Sequence, residues 1–318
     1  MRFVTYNLRF DSMPDNITVQ TSLSALNAKD PLLQPTFLNL TKEQPWSTRR
    51  LRVAEHLLGE GIVIADFQEA LLRQVKDLAE LFGSEWSWIG VGRDDGVNAG
   101  EFSPIFYKNS ELRLLSNDSF WLSNTPFEPS KFPGAGSFRI CTAAHFELVG
   151  DPSRKFTLLN THLDDQSDAQ RRLAASLLLT RSRFEAVNTN APVIITGDFN
   201  SPSTGTDSGA YEIITGATPP VAINATFAAK FAVKGDQLPD FKLLDLRAEA
   251  PRRSVSSTFA TFTGFTAPND ASDWTRIDFI FGGSNGGWMA DAYKVETSIS
   301  DDGLLASDHR PVFADVSI

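Results

Sequence analysis

Cysteine is almost missing from this chain: one residue, Cys141, in 318. A single thiol excludes an internal disulfide and any Cys-rich zinc cage. Its setting, Phe138-Arg139-Ile140-Cys141-Thr142-Ala143-Ala144-His145-Phe146, alternates like a strand, so a small buried core residue is the expected role. Long apolar runs are missing as well. No stretch of about 18 apolar residues occurs, so no membrane-spanning helix is expected. The opening Met1-Arg2-Phe3-Val4-Thr5-Tyr6-Asn7 lacks the apolar core of a secretory signal, and the expectation leans to an intracellular protein. Positive charge is scarce: 29 Lys and Arg face 39 Asp and Glu, a net −10, with no basic run of five or more. Such a surface has no general attraction for a polyanion, which disfavours non-specific binding along duplex nucleic acid.

What remains is ample for a core, with 42% apolar residues and 21% charged. One domain over residues 1–318 is expected, interrupted by a polar insertion at about 11–48 that carries Pro14, Pro31, Pro35 and Pro45. That insertion stands between a strand and a helix, where it would border or cap a pocket. Strand-type runs follow at 2–8, 61–67, 86–91, 103–108, 112–122, 138–149, 155–161, 192–197, 276–281 and 287–298. Helical spacing marks Glu69 to Phe82 and Ser167 to Val187. Strands outnumber helices and adjoin one another, which points to two packed sheets flanked by helices rather than a doubly wound parallel sheet.

Polar residues recur where apolar strands end: Asn7, Glu69, His162, Asp198 with Asn200, Asp278, and Asp308 with His309. A rigid scaffold can aim such residues into one cleft. Each alone has a plain alternative as a turn former, helix cap or dipole partner. Asn7, Glu69 and Asp308 offer the oxygen ligands that magnesium or manganese prefers, and there is no Cys/His cluster to suit zinc. His56 and His145 lie outside these strand ends and are assigned structural roles; Ser201 and Ser307 read as strand-end caps.

The blocks Thr5-Tyr6-Asn7-Leu8-Arg9, Phe67-Gln68-Glu69, Asn160-Thr161-His162-Leu163, Gly197-Asp198-Phe199-Asn200-Ser201, Arg276-Ile277-Asp278-Phe279-Ile280 and Ser307-Asp308-His309-Arg310-Pro311 resemble, in order, the signature of the endonuclease/exonuclease/phosphatase family. The resemblance implies a four-layer α/β sandwich with two mixed, mainly antiparallel sheets. It also implies hydrolysis of a phosphate mono- or diester with one divalent ion, magnesium or alternatively manganese. On that likeness Asp198 orients and deprotonates the attacking water, and Asn200 fixes water or phosphate. His162 and His309 donate to the phosphate, while Asp278 holds the His309 ring. Glu69, Asn7 and Asp308 hold the ion.

A small or medium phosphate ester is the leading substrate expectation. The alternatives are a DNA or RNA nuclease with the same chemistry, which the net charge disfavours, and a non-catalytic metal-binding module. Segments around Trp46-Ser47-Thr48-Arg49-Arg50, Gly90 to Gly96 and Gly100 to Tyr107 resemble one subgroup of the family. Arg9, Arg49, Arg93 and Glu101 are candidates for a pocket rim, with solvated or ion-paired roles preferred. Arg171 and Arg172 read as a solvated helix face. Two positions depart from the pattern: Asp165 stands where the subgroup often has histidine, and Arg9 where some apurinic endonucleases have an acidic ligand. Phe262 reads equally as site floor or as core.

Overall fold

The central strands are apolar on both faces, and that decides the layering. The computed structural model describes residues 1–26, 42–235, 237–266, 269–300 and 303–318. Its elements run β1 (Arg2–Asn7), α1 (Val19–Ser24), α2 (Trp46–Gly59), β2 (Ile64–Gln68), α3 (Leu72–Phe82), β3 (Trp86–Ile89), β4 (Ile105–Lys108), β5 (Leu112–Trp121), β6 (Ile140–Leu148) and β7 (Asp151–His162). They continue with α4 (Asp168–Thr189), β8 (Val193–Asp198), α5 (Gly209–Ile214), α6 (Ala225–Lys230), β9 (Leu243–Asp245), α7 (Leu246–Glu249), β10 (Asp278–Gly283), β11 (Met289–Val295) and β12 (Val312–Ser317).

Two six-stranded sheets form, ordered β11-β12-β1-β2-β4-β3 and β5-β6-β7-β8-β10-β9. Each holds one parallel pair, β1–β2 or β7–β8, and every other pairing is antiparallel. A parallel pair needs a long crossover, which α2 and α4 provide. Side chains alternate across each strand. Phe3, Ile64, Leu158, Ile194 and Ile280 therefore meet between the sheets. Val4, Ala65 and Phe67 turn outward onto Val53 and Leu57 of α2 and Val75 and Leu78 of α3, and Leu159 and Ile195 onto Leu173 and Leu177 of α4. The result is a four-layer α/β sandwich, helix on sheet on sheet on helix. Cys141 is fully buried in it.

Near one end the interior becomes polar. Gln68 Nε2 donates to Thr5 Oγ1 at 3.0 Å and, across the sheets, to Asn160 Oδ1 at 2.8 Å. Asn160 Nδ2 in turn donates to the carbonyls of Phe67 and Pro104. Thr196 Oγ1 donates to Asp66 at 2.7 Å, and burial holds the Asp66 carboxyl well above the usual carboxylate range. These buried groups have partners in the facing sheet, so they pin the two sheets in one register beside the strand ends.

The strand spans agree with the sequence reading apart from a few elements. β7 begins at Asp151 because its first five residues are exposed and polar, and so lack an apolar signal. β9 has three residues, and β12 follows Pro311, where the turn signal hides a strand. α3 begins at Leu72 rather than Glu69, since Glu69 has a left-handed backbone with φ +57°. In the polar insertion, Asp11 and Asp15 pair with Arg73 of α3, and Ser22 of α1 donates to the Ser47 carbonyl at the start of α2. Residues 27–41, with Pro31 and Pro35, lie outside the described residues. Among the described residues no helix is long and apolar enough to cross a membrane.

Candidate active site

Both parallel pairs end at the same rim. The last partners of β1–β2 are Asn7 and Gln68, and those of β7–β8 are His162 and Asp198. β10 runs back beside β8 and places Asp278 opposite Asp198. Open sheets bind ligands beyond the carboxyl ends of parallel strands, and here two sheets do so together. The turn just before β12 adds Asp308 and His309, and Ser307 ties that turn to β1 by donating to the Asn7 carbonyl at 2.7 Å.

Local backbone geometry serves this convergence. Among the described residues, five that are not glycine have positive φ, and three of them, Arg9, Glu69 and Asn200, line the cleft. Strained backbone of this kind concentrates at functional sites. Gly197 precedes Asp198 with φ +150°, and a Cβ there would come within 2.1 Å of the Thr161 carbonyl oxygen. Only glycine lets β8 lie that close to β7.

All eight residues singled out from the sequence come together. Glu69, His162, Asp198, Asn200, Asp308 and His309 line a cleft of about 790 Å³, and Asn7 and Asp278 are fully buried behind them. Asn7 Nδ2 donates to Glu69 Oε1 at 3.0 Å and to Asp198 Oδ2 at 2.9 Å. Its Oδ1 accepts from the Arg9 amide at 3.0 Å, which fixes the orientation of the side-chain amide. The second Glu69 oxygen accepts from the Phe10 amide at 3.1 Å. Asp198 Oδ1 accepts from the Asn200 amide at 2.9 Å. Asn200 Nδ2 donates to the Leu163 carbonyl at 3.0 Å and contacts His162 Nε2 at 3.2 Å. Both amide hydrogens are thereby used, and His162 keeps its own proton on Nδ1. His309 Nδ1 contacts Asp278 Oδ2 at 2.9 Å, and its Nε2 lies 3.6 Å from Asp198 Oδ2. Phe262 packs edge-on against the His309 ring at 5.0 Å and also lines the cleft, so it forms part of the site floor.

Burial and charge set the two histidines apart. Burial opposes protonation of His309, but the Asp278 and Asp198 carboxylates outweigh it and push the ring up to about 10. His162 is held well below its ordinary value by burial, with the Arg139 and Arg93 guanidiniums adding to the effect. The surroundings thus favour the protonated ring at His309 and the neutral ring at His162. Burial and Asp278 push the Asp198 carboxyl up to about 7. Asp308 is raised by burial, and the Glu69 carboxylate adds to this while His309 opposes it.

The donor set can be tested against a cation. Asp198, Asp278 and His309 bring ligand-type atoms within 4.8 Å of one another. Their atoms are turned on one another, His309 Nδ1 at 2.9 Å from Asp278 Oδ2 and Nε2 at 3.6 Å from Asp198 Oδ2. Glu69 and Asp308 differ: both are carboxylates facing the cleft, crowded enough that one raises the other. A hard divalent ion relieves that crowding, and oxygen donors suit it.

Some arginines were misjudged from sequence. Arg171 is not on a solvated face: it is buried, donates to the Asp164 carbonyl and to Asp207, and lines the cleft. Arg49 is also fully buried and donates to the carbonyls of Leu8, Arg9, Gln44 and Ala306, holding the loops around the site. Arg93 and Glu101 pair in a two-pronged bridge, as preferred, yet both line the cleft. Arg139 was missed, and its strand-like surroundings carry no signal that would have marked it. His56 pairs with Glu296, and His145 with Ser116 and Glu185, both away from the cleft.

The profile of the Endonuclease/Exonuclease/phosphatase family matches residues 4–309. No curated protein matches the chain significantly. Among solved structures, an endonuclease/exonuclease/phosphatase from Bacteroides vulgatus is 28% identical, with TM-score 0.74, over 100% of this chain and 98% of that one. A mannosyl-6-phosphatase from Bacteroides thetaiotaomicron is 26% identical, with TM-score 0.71, over all of both chains. The human nocturnin catalytic domain with bound sulfate is 14% identical, with TM-score 0.62, over 100% of this chain and 94% of that one, a likeness of fold.

Proposed function

The chain belongs to the endonuclease/exonuclease/phosphatase family and is a metal-dependent phosphoric ester hydrolase, and from that premise we propose that it hydrolyses a phosphate ester of a small or medium substrate, with magnesium as the ion. One observation carries the reading. Two carboxylates able to hold an ion, a buried carboxylate able to take a proton, and two histidines whose surroundings favour opposite protonation line a single cleft. The relative named as a mannosyl-6-phosphatase supports a small substrate.

Glu69 and Asp308 would hold the ion. Asn7, oriented as it is, spans Glu69 and Asp198 with its Nδ2, and would offer its oxygen only after turning the amide over. The bound cation supplies charge against the phosphoryl oxygens. Asp198, anchored through both oxygens, would orient a water and take its proton as the oxygen attacks phosphorus in line with the leaving group. His309 donates Nε2–H to the negative charge that grows in the transition state, and Asp278 holds the ring in place and charged. His162 Nδ1 is buried without a hydrogen-bond partner in the protein, 3.8 Å from Glu101 Oε2. Asn200 is a positioning residue, since both its amide hydrogens are spent on Leu163 and His162.

The test is a panel of aryl monophosphate, bis-aryl phosphodiester, sugar phosphate and oligonucleotide, each with Mg²⁺, Mn²⁺ or EDTA. Turnover of a small ester that EDTA stops and Mg²⁺ restores is expected. Turnover confined to oligonucleotides, or unaffected by EDTA, would remove the reading.

A further inference from the structure

One wall of the cleft runs from His162 outward and is built of ion pairs. Arg93 meets Glu101 through two hydrogen bonds of 2.5 and 2.8 Å. Arg139 Nη2 donates to Asp165 at 2.7 Å, and Arg171 Nη2 to Asp207 at 2.9 Å. Each guanidinium on this wall already has a carboxylate. The wall is therefore dipolar rather than cationic, and a second phosphate or a nucleic-acid backbone would have to displace those carboxylates to bind.

Donors are nevertheless left over. Arg139 is only 5% exposed, and its Nη1 has no hydrogen-bond partner in the protein; neither has Arg93 Nε nor His162 Nδ1. Buried donors of this kind are rare without a partner. Beside them lie carboxylate oxygens with lone pairs to spare: Glu101 Oε2 is 3.8 Å from His162 Nδ1, and Asp165 is bound to Arg139 itself. A hydroxyl both donates and accepts, so an alternation of guanidinium and carboxylate reads a row of hydroxyls. Among the described residues the aromatic side chains lining the cleft are Phe10 and Phe262. Phe10 lies under the Arg9 guanidinium and Phe262 against His309, so no ring on this wall offers a base a stacking surface.

We infer that this wall is the leaving-group subsite and binds a neutral polyol, a sugar carrying the phosphate, with Arg139 Nη1 donating to one hydroxyl and the Asp165 or Glu101 carboxylate accepting from another. The inference rests on the phosphoesterase reading and adds the class of alcohol released. It also gives Asp165 a purpose at a position where the subgroup resemblance leads one to expect histidine.

The test compares kcat/KM for a hexose 6-phosphate with that for p-nitrophenyl phosphate, whose leaving group has no sugar hydroxyls, in the wild type, Arg139→Gln and Asp165→Asn. The ratio should favour the hexose phosphate in the wild type and fall by about tenfold or more in each variant, the loss expected for one hydrogen bond to a charged group. Asp165 is half exposed at its side chain, so Asp165→Asn remains informative if Arg139→Gln fails to fold. A purely structural role would lower both rates and leave their ratio unchanged, and that result would overturn the inference. So would a wild type that prefers an oligonucleotide, while leaving phosphoester hydrolysis standing. A wild type inactive on every ester with Mg²⁺ would remove the underlying reading and this inference with it.

Discussion

In the first sheet the parallel pair β1–β2 ends at Asn7 and Gln68; in the second, β7–β8 ends at His162 and Asp198. Both pairs lie at the centre of six strands, between antiparallel neighbours. The neighbours differ where it matters. β10 reaches the very end of β8 and sets Asp278 against Asp198, whereas the last partner of β2 in β4 is Ile105, opposite Asp66. The first rim therefore offers the Glu69 carboxylate, held by Asn7 Nδ2, without a second acid behind it. The second places two carboxylates and an imidazole within contact, and their mutual charge sets where the protons sit. The turn before β12 serves both, giving Asp308 to the first and His309 to the second. One scaffold, used twice, thus gives the proposed reading one side for the ion and another for the proton.

Single substitutions can break that division. The largest effect is expected from Asp198→Asn on the second sheet: turnover should fall about 10²–10⁴-fold, the range for loss of a general base, and excess Mg²⁺ should not restore it. Initial rates at saturating Mg²⁺ decide this, and near-normal turnover would move the base elsewhere. Glu69→Gln on the first sheet should behave differently. The Mg²⁺ needed for half-maximal rate should rise at least about tenfold, with recovery at high Mg²⁺ and an unchanged melting temperature. If Mg²⁺ rescues both variants alike, or neither, the two rims do not divide the chemistry.

Arg49 joins the end of β1 to the turn before β12 through the Leu8 and Ala306 carbonyls at 2.6 and 2.8 Å. Arg49→Met leaves those carbonyls without donors and should cost roughly 2–4 kcal/mol in chemical denaturation. A loss under about 0.5 kcal/mol would place it among neutral surface changes instead.

The smallest effect concerns the second sheet far from the cleft. Burial would raise Glu185, but His145 and Arg181 outweigh it and hold the carboxyl below its usual range. A lowered folded value means that its contribution to stability is present above the unfolded carboxyl's range and is lost as pH falls through the folded one. Glu185→Gln should therefore make the decline of Tm with acid shallower below about pH 4.5 and leave turnover unchanged. An unchanged acid slope would show that these partners do not stabilise the ionised carboxyl.

The site was legible because its residues sit at strand ends in short blocks, and strand ends can be read from apolar runs that stop. The walls were not. Arg171 lies four residues past Ser167 at the start of α4 and reads as solvated, yet the loop carrying Asp207 folds over it. Arg139 sits just before β6 among residues that look like strand core, and becomes a cleft residue only because Asp164 and Asp165, after β7, reach back to it. β12 was hidden behind the Asp308 to Pro311 turn, and β9 is too short to show a period.

By itself the sequence determined the class of fold, the strands that carry the site and the residue types able to hold an ion and move a proton, because side-chain alternation and strand termination are local properties. Which carboxylate faces which imidazole, which arginines are neutralised and which nitrogen of His162 keeps its proton were decided only in the folded molecule. Those depend on β10 lying antiparallel to β8, on two sheets meeting at one rim, and on burial that lets near charges govern one another, none of which has a sequence period to read.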